Sequence, residues 1–182
     1  VIMHRIREVF SDVFRKDTAD IGLDQVYDVC HNTAKLEEHM IDDRKREVLV
    51  HRKGATRAFA PGMNDLPARY REVGQPVIIG GSMESGSYLL VGTKTGNQTF
   101  FSTAHGSGRR MSRRQAKKKF NGRKLLRQME AQGIHVRARS LKGLAEEAGG
   151  AYKNIDEVVK AASDGGISRP VVRFTPIGNI KG

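Results

Sequence analysis

The sequence predicts an α+β fold, with mixed sheets and flanking helices. Three observations carry this. Short runs rich in apolar residues, bounded by glycine, proline or asparagine, recur through the middle of the chain and read as strands. Helical periodicity and cap signals stand at its start and again after residue 112. The composition, 38% hydrophobic with 20 glycines among 182 residues, allows a core with many turns, in one domain or part of one.

Ile2, Ile6, Val9, Phe10, Val13 and Phe14 share one helical stripe that begins with no capping residue before it, as expected if an N-terminal portion lies elsewhere. Residues 25–30 read as a short strand ending in His31-Asn32, and 47–51 as another that turns through Lys53-Gly54 towards 56–59. Residues 60–70, with Pro61-Gly62 and Asn64-Asp65, read as a loop. Strands over 76–79 and 87–92 flank a small-residue loop, and a strand over 98–103 leads into a turn at His105. Helices are expected over 112–132 with a break at Asn121-Gly122, then a strand over 135–139 and a helix from Asn154. Ser112-Arg113-Arg114-Gln115 and Asn154-Ile155-Asp156-Glu157 both have the spacing of a capping box. A last strand over 170–174 precedes a tail over 178–182, and no internal repeat or low-complexity linker is present.

The formal charge is +12, and residues 105–142 hold 13 Lys and Arg against one acid, Glu130. A solvated helix face usually mixes signs, so this one-signed stretch favours a polyanion, nucleic acid first. The single cysteine, Cys30, excludes an internal disulfide framework and fits a reducing, cytoplasmic compartment. No apolar run has the length of a membrane span and no signal-peptide pattern opens the chain.

Three segments could carry chemistry. In His105-Gly106-Ser107-Gly108-Arg109 the glycines let backbone N–H groups close around phosphate oxygens, the arginine offers a fork, and a neutral imidazole can attack phosphorus; a plain basic turn is the alternative. His31 beside Asn32 is either a metal ligand next to a phosphate-orienting amide or a structural histidine. Strand alternation would separate Cys30 from His31, which makes Cys30 a small buried residue. The loop over 80–87 either cradles phosphate or ribose through backbone N–H, Ser82 and Ser87, or is a flexible hairpin loop; it lacks the Gly-Lys-Ser/Thr of a Walker loop. No Ser/His/Asp set, paired-carboxylate motif or zinc CxxC spacing is present.

Six motifs in order carry the argument further. Tyr27-Asp28-Val29-Cys30-His31-Asn32, the stretch from Val50 through Lys53-Gly54 to Phe59, Gly80-Gly81-Ser82-Met83 with Ser87-Tyr88, the His105 pentapeptide, Ala151-Tyr152-Lys153 and Ile180-Lys181-Gly182 resemble the C-terminal part of the RtcB family of RNA-splicing and repair ligases. The resemblance implies that residues 1–182 are the incomplete C-terminal part of a single RtcB-like catalytic domain. It also implies a GTP- and Mn²⁺-dependent ligase that joins an RNA 3′-phosphate, or a 2′,3′-cyclic phosphate, to a 5′-hydroxyl through a histidine–GMP intermediate. The RNA would be tRNA halves or broken transcripts, and an archease activator is a further expected partner.

By the same resemblance His105 matches the guanylylated histidine and His31 a metal ligand, with Asn32 at the guanylate. Gly80, Gly81, Ser82, Met83 and Ser87 match the guanylate loop, and Gly106, Ser107 and Gly108 would wrap the phosphate. Tyr152 and Lys181 match further nucleotide contacts, and Arg109 and Arg113 would face phosphate or the RNA end. Glu84-Ser85 depart from the family's Gly-Thr and place a carboxylate near the anion site. The family's other metal ligands, an Asp, a Cys and two His, belong to an N-terminal half. With His31 alone a catalytic metal site, which takes about three protein ligands, does not close. The chain by itself is therefore expected to be inactive, and the competing reading is a basic RNA-binding module or truncated product without catalysis.

Overall fold

A computed structural model describes residues 1–181, with Lys181 described by its backbone alone. The chain opens with α1 (Ile2–Phe14) and the short α2 (Thr18–Ile21). The stripe of α1 is present as expected but buries no residue.

Strands β1 (Asn32–Ile41) and β2 (Arg44–Lys53) form a long antiparallel hairpin. Its two-residue turn, Asp42-Asp43, has φ of 49° and 58°, the paired positive values that match the twist of two tightly joined strands. Residues 25–30 are not a strand. The Gln25 and Val26 carbonyls accept instead from Arg69 Nη2, at 3.1 and 2.8 Å, and the Tyr70 hydroxyl also donates to Val26. Side-chain donors thus occupy the carbonyls that a sheet would use. Without strand alternation Cys30 is exposed, not buried.

The short strands β3 (Ala55–Arg57) and β6 (Ser102–Ala104) pair antiparallel. The strand expected over 98–103 is instead a 3-10 turn (Lys94–Thr99) followed by Phe100 and Phe101 in the left-handed region, so only its end is extended. The central sheet has the antiparallel order β4 (Pro76–Gly80), β5 (Ser87–Gly92), β8 (Ser168–Phe174). Pro170 lies on the edge strand β8, where pairing shifts register opposite Leu89 and Leu90, a place that tolerates a missing N–H.

Two cores flank the loop between β4 and β5. In the first, Ile155, Val159 and Ala162, at helical spacing on α6 (Ile155–Asp164), pack on Val77, Ile79 and Leu90. The second joins α3 (Arg113–Lys119), α4 (Gly122–Ala131), β7 (His135–Ala138) and α5 (Leu141–Glu146). It is built from Leu125, Met129, Ile134, Val136, Leu144 and Ala148. Met83 enters this second core from the β4–β5 loop, so the loop is pinned between both.

The Ser112 capping box forms: its Oγ accepts from Gln115 N at 3.2 Å, and its N donates to Gln115 Oε1 at 2.9 Å. Asn154 caps α6 by accepting from Asp156 N at 2.9 Å, a simpler cap than the expected box. The expected tail is a strand, β9 (Gly178–Lys181), which pairs parallel with β7. Among the described residues no helix is long and apolar enough to cross a membrane.

Candidate functional site

The β3–β6 and β4–β5 strand ends bring the His105 turn between two distant segments. Gly80 N donates to His105 O at 3.2 Å, and Ser107 N to Gly80 O at 2.7 Å. On the other side Arg110 N donates to Ala151 O at 2.9 Å, and Lys153 N to Gly108 O at 3.0 Å. The turn is thereby held by a single main-chain bridge on each flank, Gly106 to Gly80 and Arg109 to Tyr152. The amides of Gly106, Gly108 and Arg109 donate to no acceptor among the described residues, and the buried Ser107 Oγ has no partner there either. Unspent amides beside glycines are what an anion cradle requires.

His105 itself is exposed and its ring is fixed. Its Nδ1 lies 2.7 Å from the Gly54 carbonyl, and its ring stacks on His31 with centroids 4.8 Å apart and planes 7° from parallel. A carbonyl only accepts, so Nδ1 carries a proton, and in the neutral ring the lone pair is on Nε2. Gly54 N donates to the main-chain His31 O at 3.0 Å, so this one residue ties the His31 backbone to the His105 ring. Its φ of 70° is a left-handed value that glycine adopts without strain.

Next to this turn, Gly81, Ser82, Met83, Ser87 and Tyr152 line a pocket of about 170 Å³ together with Glu147 and Asn179. The first five are sequence-predicted site residues. Met83 is buried, and its carbonyl accepts from Asn179 Nδ2 at 3.1 Å. A larger cleft of about 440 Å³ adjoins through Ser82 and Tyr152. Ser82 Oγ accepts from the amides of Glu84 and Ser85 at 3.2 Å each, so the loop is rigidified by its own side chains. The Glu84 carboxylate accepts from Gly149 N at 2.5 Å, which ties the loop to the segment that delivers Tyr152.

Arg109 is committed inward. It donates to Tyr152 Oη at 3.0 Å, Glu146 O at 2.6 Å and Met111 O at 3.2 Å, and it pairs with Glu147 at 3.3 Å while lying over the Tyr152 ring. Burial, then the hydrogen bond to Glu147, pushes the Tyr152 phenol above 10.0 and keeps it a donor. Arg113 is 70% exposed, with Glu147 at 3.7 Å. Asn32 begins β1 on the hairpin, paired opposite Lys53. The Lys181 side chain lies outside the described residues, while its backbone pairs beside Ala138.

A profile of the family described as "tRNA-splicing ligase RtcB" matches residues 1–182. The chain belongs to the RtcB family. It is 51% identical over 183 residues to the tRNA-splicing ligase RtcB of Pyrococcus abyssi, covering all of this chain and 20% of that protein. The Archaeoglobus fulgidus protein of the same name is 51% identical and that of Thermococcus kodakarensis 49%, each over 183 residues; this chain covers 38% of either. The chain thus spans 20 to 38% of the length of these relatives.

Sequence reasoning about this RtcB chain missed Gly54, Glu147 and Asn179 as parts of the site. Lys53-Gly54 was legible as a turn; nothing local marked the other two. Among the described residues no three His, Cys, Asp or Glu side chains come together, so they do not by themselves form a metal site around His31.

Proposed function

We propose that this chain supplies the nucleophile and much of the nucleotide pocket of a GTP- and Mn²⁺-dependent RNA ligase, and that it forms the C-terminal part of a single catalytic domain. The ligase would join RNA 3′-phosphate or 2′,3′-cyclic phosphate ends to 5′-hydroxyl ends, in tRNA splicing or RNA repair, with an archease-type activator as a partner. The observation that carries this is the fixed tautomer of His105. With Nδ1–H spent on Gly54 O, the neutral ring has its lone pair on Nε2, in the same turn as three unspent amides.

In this reading Nε2 attacks the α-phosphorus of GTP, the bond to pyrophosphate breaks, and pyrophosphate leaves. The Gly54 carbonyl stabilises the positive charge that the ring acquires. An oxygen of the RNA 3′-phosphate then takes the guanylyl group, breaking the N–P bond and restoring the imidazole. The 5′-hydroxyl attacks the activated phosphate, and GMP leaves. Gly106, Gly108 and Arg109 amides hold the phosphate, while the Ser82, Ser87 and Tyr152 pocket holds the nucleoside. Manganese would be held by His31 together with ligands from polypeptide outside residues 1–182, and the isolated chain is expected to be inactive.

The test is incubation with α-labelled GTP and manganese, comparing this chain, the chain extended upstream in its native gene, and the extended His105→Ala protein. Acid-labile, alkali-stable label on the extended protein, lost in the variant, is expected. A folded extended protein that takes no label refutes the reading and favours an RNA-binding role without catalysis.

A further inference from the structure

A second cleft, of about 370 Å³, opens at the turn between α3 and α4, against the start of α5, and shares no lining residue with the pocket around Tyr152. Lys117, Arg123 and Lys142 stand around it, Phe120 and Leu141 give it apolar walls, and no carboxylate lines it. Lys117 is paired with Glu146 at 2.5 Å, whereas Arg123 and Lys142 form no ion pair among the described residues. Both are exposed, as are Arg114, Lys118, Lys119, Lys124 and Arg127 around them. The cleft is thus an aromatic and aliphatic slot inside the most basic part of the chain.

Phe120 is held in place for such a role. A Cβ on Gly150 would lie 2.6 Å from Phe120 Cζ and 2.9 Å from Cε1, so the ring rests against bare backbone at that point. Gly150 O in turn accepts from Arg110 Nε at 2.9 Å, and the next residue but one is Tyr152. The short turn Gly149–Ala151 therefore backs the Phe120 ring of this cleft and leads directly into Tyr152 of the other pocket. A half-buried aromatic ring with cations around it suits an unstacked base and its phosphate: the π-face takes any base, and the cations take the backbone.

We propose that this cleft is a subsite for one unpaired nucleotide of single-stranded RNA, its base against Phe120 and Leu141 and its phosphate met by Arg123 and Lys142. The inference rests on the RNA-acting reading of the chain but not on catalysis at His105.

The test uses this chain and a short oligouridylate. Phe120→Leu is expected to weaken binding at least about fivefold, the size of one base–aromatic stack, while leaving affinity for duplex RNA unchanged. The double variant Arg123→Gln/Lys142→Gln is expected to reduce the slope of log affinity against log salt by about 1.4, or about 0.7 for each lost single-strand contact. Because Phe120 also seats on Gly150, a measurement on the unaltered chain accompanies these. Thiouridine-substituted RNA should photocrosslink within residues 117–124 or 141–145. Crosslinks confined to other segments, or an unchanged salt slope in the double variant, overturn the proposal. Crosslinking here with no guanylylation of His105 in the folded, upstream-extended protein removes the ligase reading and leaves the subsite standing.

Discussion

Replacing Arg52 with methionine removes the centre of a buried ion network that sets the base of the hairpin. Its guanidinium donates to Glu37 at 2.7 and 2.8 Å, to Ser102 Oγ at 2.8 Å and to Phe100 O at 2.7 Å, and the two charged side chains are only 2% and 6% exposed. His39 lies 3.0 Å from the same carboxylate. Taking away one partner strands a buried charge, at a cost of about 3–5 kcal/mol. That is a large share of the ~5–15 kcal/mol of a typical domain. Burial by itself raises the Glu37 pKa, but hydrogen bonds and charges from Arg52 and His39 outweigh it and hold the carboxyl below 4.5. The contribution is therefore present above the unfolded value and lost as pH falls through the lower folded one. In Arg52→Met the sign reverses, because burial then dominates, and the deficit should shrink as Glu37 is protonated. Urea unfolding followed by circular dichroism, at neutral pH and near pH 4, measures both effects. Glu37→Leu combined with Arg52→Met should recover most of the loss, since an apolar pair leaves no stranded charge. A single-variant loss under about 1 kcal/mol, or simple additivity in the double variant, refutes the reasoning.

Gly54→Ala should cost about 1–2 kcal/mol through its left-handed φ of 70°, since the new Cβ would meet the His105 ring at an ordinary 3.8 Å. Nitrogen NMR of His105 should show a reduced Nδ1–H population; an unchanged tautomer would sever Gly54 from the site. Ser112→Ala removes the α3 capping box and should lower stability by about 1 kcal/mol, read as a shift in urea midpoint, with Ser112→Asp retaining most of it. Tyr88, raised by its hydrogen bond to Asp156, and Tyr152, raised by burial and Glu147, should ionise above the ordinary phenol value of 10.0 in a phenolate absorbance titration. Any stability these two phenols lend is present at and below pH 10 and is lost as pH rises through their raised values, and Asp156→Asn should return Tyr88 alone towards 10.0.

What was legible in the sequence is what local chemistry decides. β4 and β5 were readable because an apolar run starts at Pro76 and ends at Gly80, and a second closes at Gly92. The His105 turn and the Ser112 cap were readable because their residue types have few other uses. β1 was hidden because Lys35, Glu37, Glu38 and His39 put charge on both faces, and its inner face is satisfied by an arginine from the partner strand. Residues 25–30 looked extended, yet Arg69 and Tyr70, some forty residues away, claim their carbonyls. β9 was hidden for a related reason, since its parallel partner β7 lies far back in the chain. Glu147 was unreadable as a site residue because only the fold brings an acid to Arg109 and Tyr152.

The site's precision comes mainly from backbone, and this decides what its side chains are free to do. His105 and Ser107 are registered against Gly80 by main-chain bonds, Gly108 and Arg110 against Ala151 and Lys153 by others, and Gly54 binds the His31 main-chain carbonyl and the His105 ring with its own peptide groups. Side-chain replacement removes none of the main-chain bonds, so the hydroxyl at 107 is not needed to build the scaffold, whereas replacing His105 gives up the ring's bond to Gly54 and replacing Ser82 gives up its bonds to the loop amides. Arg109 is the contrast: its guanidinium is spent on Tyr152, Glu147 and two carbonyls, so it shapes the pocket wall while its free amide faces the cradle. Arg109 thus leaves its backbone N–H without an acceptor among the described residues at one end and acts as a brace at the other. Exposed positive charge lies instead on α3 and α4.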